Sequence, residues 1–168
     1  MKQPKFLDAV ETGSAVNSGL ALIPIKLRQA NALHQRGQLA PARDIYEEIL
    51  KIQRKNFDAL HLLGVIAAQT QNPRRAVDLI GKAIRVNPRE AAPYCNRGAA
   101  LHELGQFDSA LASFDKAIEI KPDYAVAFCN RGKVLKELRR FTAALVSYDR
   151  AIALKRSEEH TSELQSRP

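Results

Sequence analysis

The stretch Ala91–Tyr124, AAPYCNRGAALHELGQFDSALASFDKAIEIKPDY, is followed directly by a second stretch of equal length with the same pattern. The second stretch, Ala125–Glu158, reads AVAFCNRGKVLKELRRFTAALVSYDRAIALKRSE, and 16 of the 34 aligned positions are identical. A fixed period of this size is the sequence signature of stacked-repeat proteins, in which each unit buries its apolar face against its neighbours. The repeat therefore predicts the fold and suggests a binding surface.

The same 34-residue frame extends backwards to give four copies, 23–56, 57–90, 91–124 and 125–158. The eighth place of each copy holds a small residue, namely Ala30, Gly64, Gly98 and Gly132. The twentieth place holds alanine, at Ala42, Ala76, Ala110 and Ala144, and the twenty-fourth holds a large residue, at Tyr46, Ile80, Phe114 and Tyr148. Apolar residues recur at intervals of three and four within each half copy, which predicts two amphipathic helices per copy. An all-α chain of eight helices in four hairpins follows.

The prolines agree with these helix boundaries. One group is expected in the first turn of a helix or at its threshold, where a missing N–H does little harm: Pro24, Pro41, Pro73 and Pro93. Pro88 and Pro122 are expected to stop the second helix of their copies.

These residues resemble the tetratricopeptide repeat, whose pattern has Ala or Gly at place eight, Ala at twenty and an aromatic residue at twenty-four. The resemblance covers residues 23–155 and implies an α-solenoid, a right-handed superhelix of helix-turn-helix units with a concave groove lined by the first helices. The CNRG strings place Arg97 and Arg131 where the pattern prefers Leu. Their stems are expected to pack while their charged heads reach water.

The two ends of the chain depart from the frame. Residues 1–22 have no sustained helical period, and we expect a mobile leader with a short helical turn near residues 6–10. After Lys155 the chain reads RSEEHTSELQSRP, which is similar to the conceptual translation of a sequencing adapter. Residues 156–168 are therefore interpreted as a non-native tail, the alternative being a genuine polar terminus. If the tail is non-native, the natural protein continues past residue 155.

Composition limits the remaining function classes. The net charge of +8 invites a nucleic-acid interpretation, but the basic residues are scattered and not clustered with aromatic residues, so we expect no nucleic-acid partner. Basic-surface RNA binding stays open as an alternative. No apolar run is long enough to span a bilayer or to form a signal peptide, and the two cysteines do not suggest a disulfide framework. We therefore expect a cytoplasmic protein without a membrane contact.

Motifs of enzymes and cofactor sites are absent from the sequence: there is no phosphate-binding Gly loop, no GxSxG and no HExxH. We expect no catalytic residue and no cofactor. His61, Cys95 and Cys129 share the fifth place of adjacent copies, and His102 lies seven residues after Cys95. Equivalent residues of packed helices lie roughly 8–10 Å apart, too far for one zinc ion, so we expect neither a metal site nor a Cys95–Cys129 disulfide.

The stronger functional signal is Asn96 and Asn130, at the sixth place of the first helix. A side-chain amide has a donor and an acceptor and can pair with the main chain of an extended peptide. The alternative is that these residues only tolerate an exposed helix face or bond within their own helix. Further candidates on the same face are His61, His102, Lys133 and Lys136. The sixth place of the first two copies holds Arg28 and Leu62, so the amide column is incomplete there.

An asparagine-lined groove, with the string NFDALHLLGVIAAQT followed by CNRG repeats, also resembles the repeat arm of bacterial O-linked N-acetylglucosamine transferase-like proteins. In that family a glycosyltransferase domain follows the repeats, and the arm recruits protein substrates. The sequence thus predicts a protein-interaction scaffold that holds an extended peptide segment, with the substrate-recruiting arm of a truncated glycosyltransferase as the alternative. The last helix, expected to end at Lys155, offers Leu145 and Ile152 to a following unit, so self-association through this end is also predicted.

Overall fold

The computed structural model describes the backbone of residues 8–165 and the side chains of residues 19–157 and 159. Within this range the chain forms eight helices and no strand. Their bounds are α1 Asp8–Gln35, α2 Leu39–Ile52, α3 Phe57–Gln69, α4 Pro73–Val86, α5 Ala91–Glu103, α6 Phe107–Ile120, α7 Ala125–Glu137 and α8 Phe141–Gln165. Each odd-numbered helix packs against the even-numbered helix that follows it, and each hairpin packs against the next one. The predicted α-solenoid of four helical hairpins is confirmed.

The turn inside each hairpin has the same geometry in all four repeats. The fifteenth place adopts a positive φ, at Gly37, Gln71, Gly105 and Arg139. The N–H of the next residue then bonds to the carbonyl oxygen five residues earlier, for example from Gln106 to Leu101 at 2.9 Å. This 6→1 bond satisfies a carbonyl that the end of the first helix leaves without an intrahelical partner.

The core includes the small residues at the eighth and twentieth places of the repeat and the large residues at the twenty-fourth. The alanines of the twentieth place are all buried, and so are Tyr46, Ile80 and Phe114 at the twenty-fourth. At the eighth place the two helices of a repeat approach each other closely. A Cβ added to Gly98 would lie 2.7 Å from the nearest ring carbon of Phe114, and one added to Gly132 would lie 2.7 Å from the ring of Tyr148. The first helix can therefore rest directly on the aromatic ring only because no side chain intervenes.

The CNRG arginines behave differently from the sequence expectation. The guanidinium of Arg97 donates from Nε and Nη2 to the Oγ of Ser113, at 3.2 and 3.1 Å, and Arg131 donates from Nη1 to the Oγ of Ser147 at 2.8 Å. Both serines are buried. Each serine hydroxyl also donates to the carbonyl oxygen four residues earlier in its own helix. The arginine heads supply a further donor to each buried serine and so tie the first helix to the second helix of the same repeat.

The ends of the array also differ from expectation. Helix α1 begins at Asp8, inside the region predicted as a leader, so Pro24 lies well within the helix and not in its first turn. Helix α8 continues past Lys155 to Gln165. Once nucleated, a helix propagates through residues that have no apolar period, because each added residue gains a backbone hydrogen bond. Residues 1–7 and 166–168 lie outside the described residues, and the predicted domain bounds stay predictions.

The contact between the eighth and twenty-fourth places yields a stability prediction. We expect Gly98→Ala to lower the free energy of unfolding by about 1–3 kcal/mol, because the new methyl group overlaps the Phe114 ring. Gly81→Ala is the matched control: its Cβ would meet nothing closer than Arg85 Nη1 at 3.9 Å, so it should stabilise helix α4 by about 0.5–1 kcal/mol. Chemical denaturation of both variants measures the difference. Equal stability of Gly98→Ala and the wild type would contradict the close contact.

Candidate functional site

The first helices of successive repeats lie side by side. Helix α3 contacts α5, and α5 contacts α7, whereas no two successive second helices within residues 8–165 have contacts as extensive. A stack whose members approach more closely on one side curves towards that side. The surface formed by α1, α3, α5 and α7, here called the first-helix face, is therefore the inner side of the array.

Asn96 is bonded across this face to the preceding repeat. Its Nδ2 lies 2.9 Å from Nε2 of His61, on the neighbouring helix α3. An amide nitrogen can only donate, so the imidazole nitrogen accepts and His61 is neutral. Burial lowers the pKa of His61, an effect opposed by the charges of Asp58 and Glu90. Two residues that the sequence proposed separately are thus one hydrogen-bonded pair, and Asn96 keeps its Oδ1 available as an acceptor.

Asn130 has neighbours in its own helix and in the preceding repeat. Its Oδ1 accepts from Lys133 Nζ at 3.3 Å, and its amide lies against the thiol of Cys95 on helix α5. Burial raises the pKa of the Cys95 thiol, while Asn130 and Tyr124 act in the opposite direction. With its oxygen engaged by Lys133 and one N–H directed at the Cys95 sulfur, Asn130 keeps its second N–H as a donor.

The two remaining sequence candidates lie on the same face. His102 Nε2 lies 2.9 Å from Oε1 of Glu137, which joins α5 to α7. Lys136 is exposed on α7. All six predicted residues therefore belong to the first helices of the last three repeats, and five of them, all except Lys136, are hydrogen-bonded to other side chains.

Four further residues of this face were missed by the sequence reasoning, namely Asn31, His34, Gln35 and Gln69. His34 Nε2 bonds to Gln69 Oε1 at 2.8 Å, and Asn31 Oδ1 accepts from the hydroxyl of Tyr46 at 2.6 Å. The bonds of His34, His61 and His102 to the next repeat each span 35 residues, one more than the repeat period. The signal was present in the sequence, because His34 and His102 share the twelfth place of the frame while Gln69 and Glu137 share the thirteenth.

The described residues contain no group of three or more His, Cys, Asp or Glu side chains that could hold a metal ion. Cys95 is buried, Cys129 is half-buried, and both are free thiols. At the other end of the array Leu145 and Ile152 are 62% and 55% exposed, whereas their counterparts one repeat earlier, Leu111 and Ile118, are buried or half-buried. Self-association through this surface stays a prediction.

The repeat pattern matches known families over the second half of the chain. Profiles described as tetratricopeptide repeat match residues 79–112 and 125–158, and one described as TPR repeat matches residues 98–139. The chain contains tetratricopeptide repeats. The described part of the chain has no helix that is both long and apolar enough to cross a membrane.

Two similar curated proteins carry the same printed description, probable UDP-N-acetylglucosamine--peptide N-acetylglucosaminyltransferase SPINDLY. The protein of Hordeum vulgare is 32% identical over 88 residues, and that of Arabidopsis thaliana is 35% identical over 89 residues. Each alignment covers 52% of this chain but only 9% and 10% of the relative. The chain thus spans about a tenth of the length of the curated relatives it matches.

Solved structures agree with the tetratricopeptide fold. The crystal structure of MamA superposes with a TM-score of 0.75 at 17% identity, covering 95% of this chain and 99% of that one. Pseudomonas aeruginosa pilF superposes with a TM-score of 0.74 at 21% identity, over 83% of this chain and 64% of that one. A mutant of the Thermobaculum terrenum O-GlcNAc transferase has a TM-score of 0.67 and 29% identity, covering 70% of this chain and 22% of the transferase.

The burial of His61 makes stability depend on pH. Because the folded-state pKa of His61 is lowered, the unfolded chain binds more protons below about pH 6.5, and stability falls as the pH drops from there through the folded-state pKa. NMR titration should place the pKa of His61 below that of an unperturbed histidine. His61→Gln, which keeps an acceptor for Asn96 but cannot be protonated, should show a smaller loss of unfolding free energy over that range. An unchanged pH dependence in His61→Gln would contradict the assignment.

Proposed function

We propose that this chain is a protein-interaction scaffold that holds an extended segment of a partner protein against the first-helix face. The observation that carries the proposal is a succession of side-chain amides along this face, Asn31, Gln69, Asn96 and Asn130, each held by another side chain. Tetratricopeptide repeats generally mediate contacts between proteins, which supports the same general class of function.

The spacing of the amides suits a peptide main chain. Packed helices lie roughly 8–10 Å apart, and an extended strand advances about 3.3 Å per residue. Adjacent repeats can therefore reach peptide groups about three residues apart. Bonds to the main chain do not depend on the side chains of the partner, so such a face can bind segments of varied sequence.

The held orientation of the amides favours binding. Asn130 bonds to Lys133 through its oxygen and to Cys95 through one N–H, which leaves its second N–H as a donor. Asn96 bonds to His61 through one N–H and keeps its oxygen as an acceptor. A peptide group offers one carbonyl acceptor and one N–H donor, so both kinds of amide can find a partner. Side chains that are already ordered lose less conformational entropy when the segment binds.

The double variant Asn96→Ala/Asn130→Ala tests the proposal. We expect peptides selected from a random display library on the wild-type chain to bind the variant more weakly by about 1–3 kcal/mol, since two hydrogen bonds are lost. Calorimetry or fluorescence anisotropy with the selected peptides measures the change. Asn87→Ala/Gln106→Ala removes two amides outside the first-helix face and is the matched control. Equal affinity of the wild type and Asn96→Ala/Asn130→Ala would contradict the role of the amides.

A second candidate function is the substrate-recruiting arm of a protein O-glycosyltransferase. The similarity to the two SPINDLY proteins and to the Thermobaculum terrenum O-GlcNAc transferase favours it. Sequencing of genomic DNA beyond the codon for Lys155 distinguishes the candidates. A reading frame that continues into a glycosyltransferase domain supports the arm, and one that follows RSEEHTSELQSRP to a stop codon contradicts it.

A further inference from the structure

An open cavity of about 380 Å³ lies on the first-helix face between α1 and α3. Its lining residues are Asn31, His34, Gln35, Leu62 and Gln69. The volume is at the lower end of the range found for binding pockets and is suited to a single large side chain. Asn96 on α5 and Asn130 on α7, which are proposed above to bind the peptide main chain, do not line this cavity.

Two of the lining amides have their oxygens engaged. Asn31 Oδ1 accepts from Tyr46, whose side chain is fully buried, and Gln69 Oε1 accepts from His34 Nε2. His34 therefore donates from Nε2, and neither of these two bonds uses the N–H donors of the two amides. An occupant with hydrogen-bond acceptors, such as the carbonyl groups of a peptide, can satisfy these N–H donors.

Leu62 supplies the apolar surface of the cavity. It is half-buried and stands at the sixth place of its repeat, where α5 and α7 carry Asn96 and Asn130. The column of amides is thus interrupted here by a leucine, which offers a contact for an apolar group and none for a peptide bond. The lining contains no Asp, Glu, Lys or Arg, so a charged side chain entering the cavity would lose hydration without gaining a charged partner.

We propose that this cavity is a specificity subsite that seats one large apolar side chain of the bound segment on Leu62. The carbonyl oxygens on either side of that residue accept from Asn31 and Gln69. The inference rests on the proposed function, because the apolar residue belongs to the same bound segment and occupies the part of the first-helix face between α1 and α3. The remainder of the segment continues towards the main-chain contacts of Asn96 and Asn130. Sequence-tolerant binding by the amides is thereby combined with selection at one residue.

Peptide selection on four variants of the full chain tests the subsite. The probe is a display library of random twelve-residue peptides, selected in parallel on the wild type, Leu62→Met, Leu62→Asn and Leu22→Asn. Leu62→Met keeps an apolar side chain of similar volume, and Leu22→Asn makes the same chemical change at an exposed leucine of α1 outside the cavity. Circular dichroism establishes that each variant is helical before selection.

Peptides enriched on the wild type should share one position with a large aliphatic or aromatic residue. We expect Leu62→Met and Leu22→Asn to keep this preference, and Leu62→Asn to bind the same peptides about tenfold to a hundredfold more weakly, as expected for loss of one buried apolar contact. Replacing that residue of the peptide by Ala should weaken binding to the wild type but not to Leu62→Asn.

The failures of the two proposals are distinguishable. Peptides that bind through Asn96 and Asn130 but show no apolar position, or an apolar position unaffected by Leu62→Asn, overturn the subsite and leave the scaffold function standing. A wild-type chain that enriches no peptide overturns both. A preference for an acidic or basic residue at the position affected by Leu62→Asn also overturns the apolar assignment.

Discussion

The close approach of each first helix to the large residue at the twenty-fourth place is the contact on which the array depends. A glycine at Gly98 or Gly132 allows the helix backbone to rest on the ring of Phe114 or Tyr148 without an intervening side chain. Because the same kind of contact recurs in the last three hairpins and the first has the small Ala30 at the eighth place, the hairpins can stack in the same way. The first helices consequently line up on one side, which is the side that carries the amides.

Polar bonds between and within repeats supplement this apolar framework. Arg97 and Arg131 join the two helices of a repeat through buried serines, while the histidines join a first helix to the next one. These bonds order side chains that would otherwise sample several rotamers at an exposed helix face. The bonded side chains of the first-helix face are therefore held in defined orientations.

The sequence was sufficient for the fold because the signal is repeated. Places eight, twenty and twenty-four carry small or large residues in four consecutive copies, and the family resemblance and the structure agree on the helical hairpins. It was insufficient at the ends, where helices α1 and α8 extend through residues without an apolar period. The expectation that the guanidinium groups of Arg97 and Arg131 face water missed their bonds to buried serines. Each serine lies sixteen residues further along the chain, and the water affinity of an arginine gives no information about such a partner.

By itself the sequence determined the repeat, its helical hairpins and the first-helix positions of Asn96 and Asn130. These follow from a pattern of small, large and apolar residues that recurs every 34 residues. Tertiary structure alone decided which atoms of those amides stay available, since the answer depends on partners 35 residues away, such as His61 for Asn96. It also decided that Leu62 lies in a cavity with Asn31 and Gln69. Residues on different helices become neighbours only through packing, and no pattern within one helix records that distance.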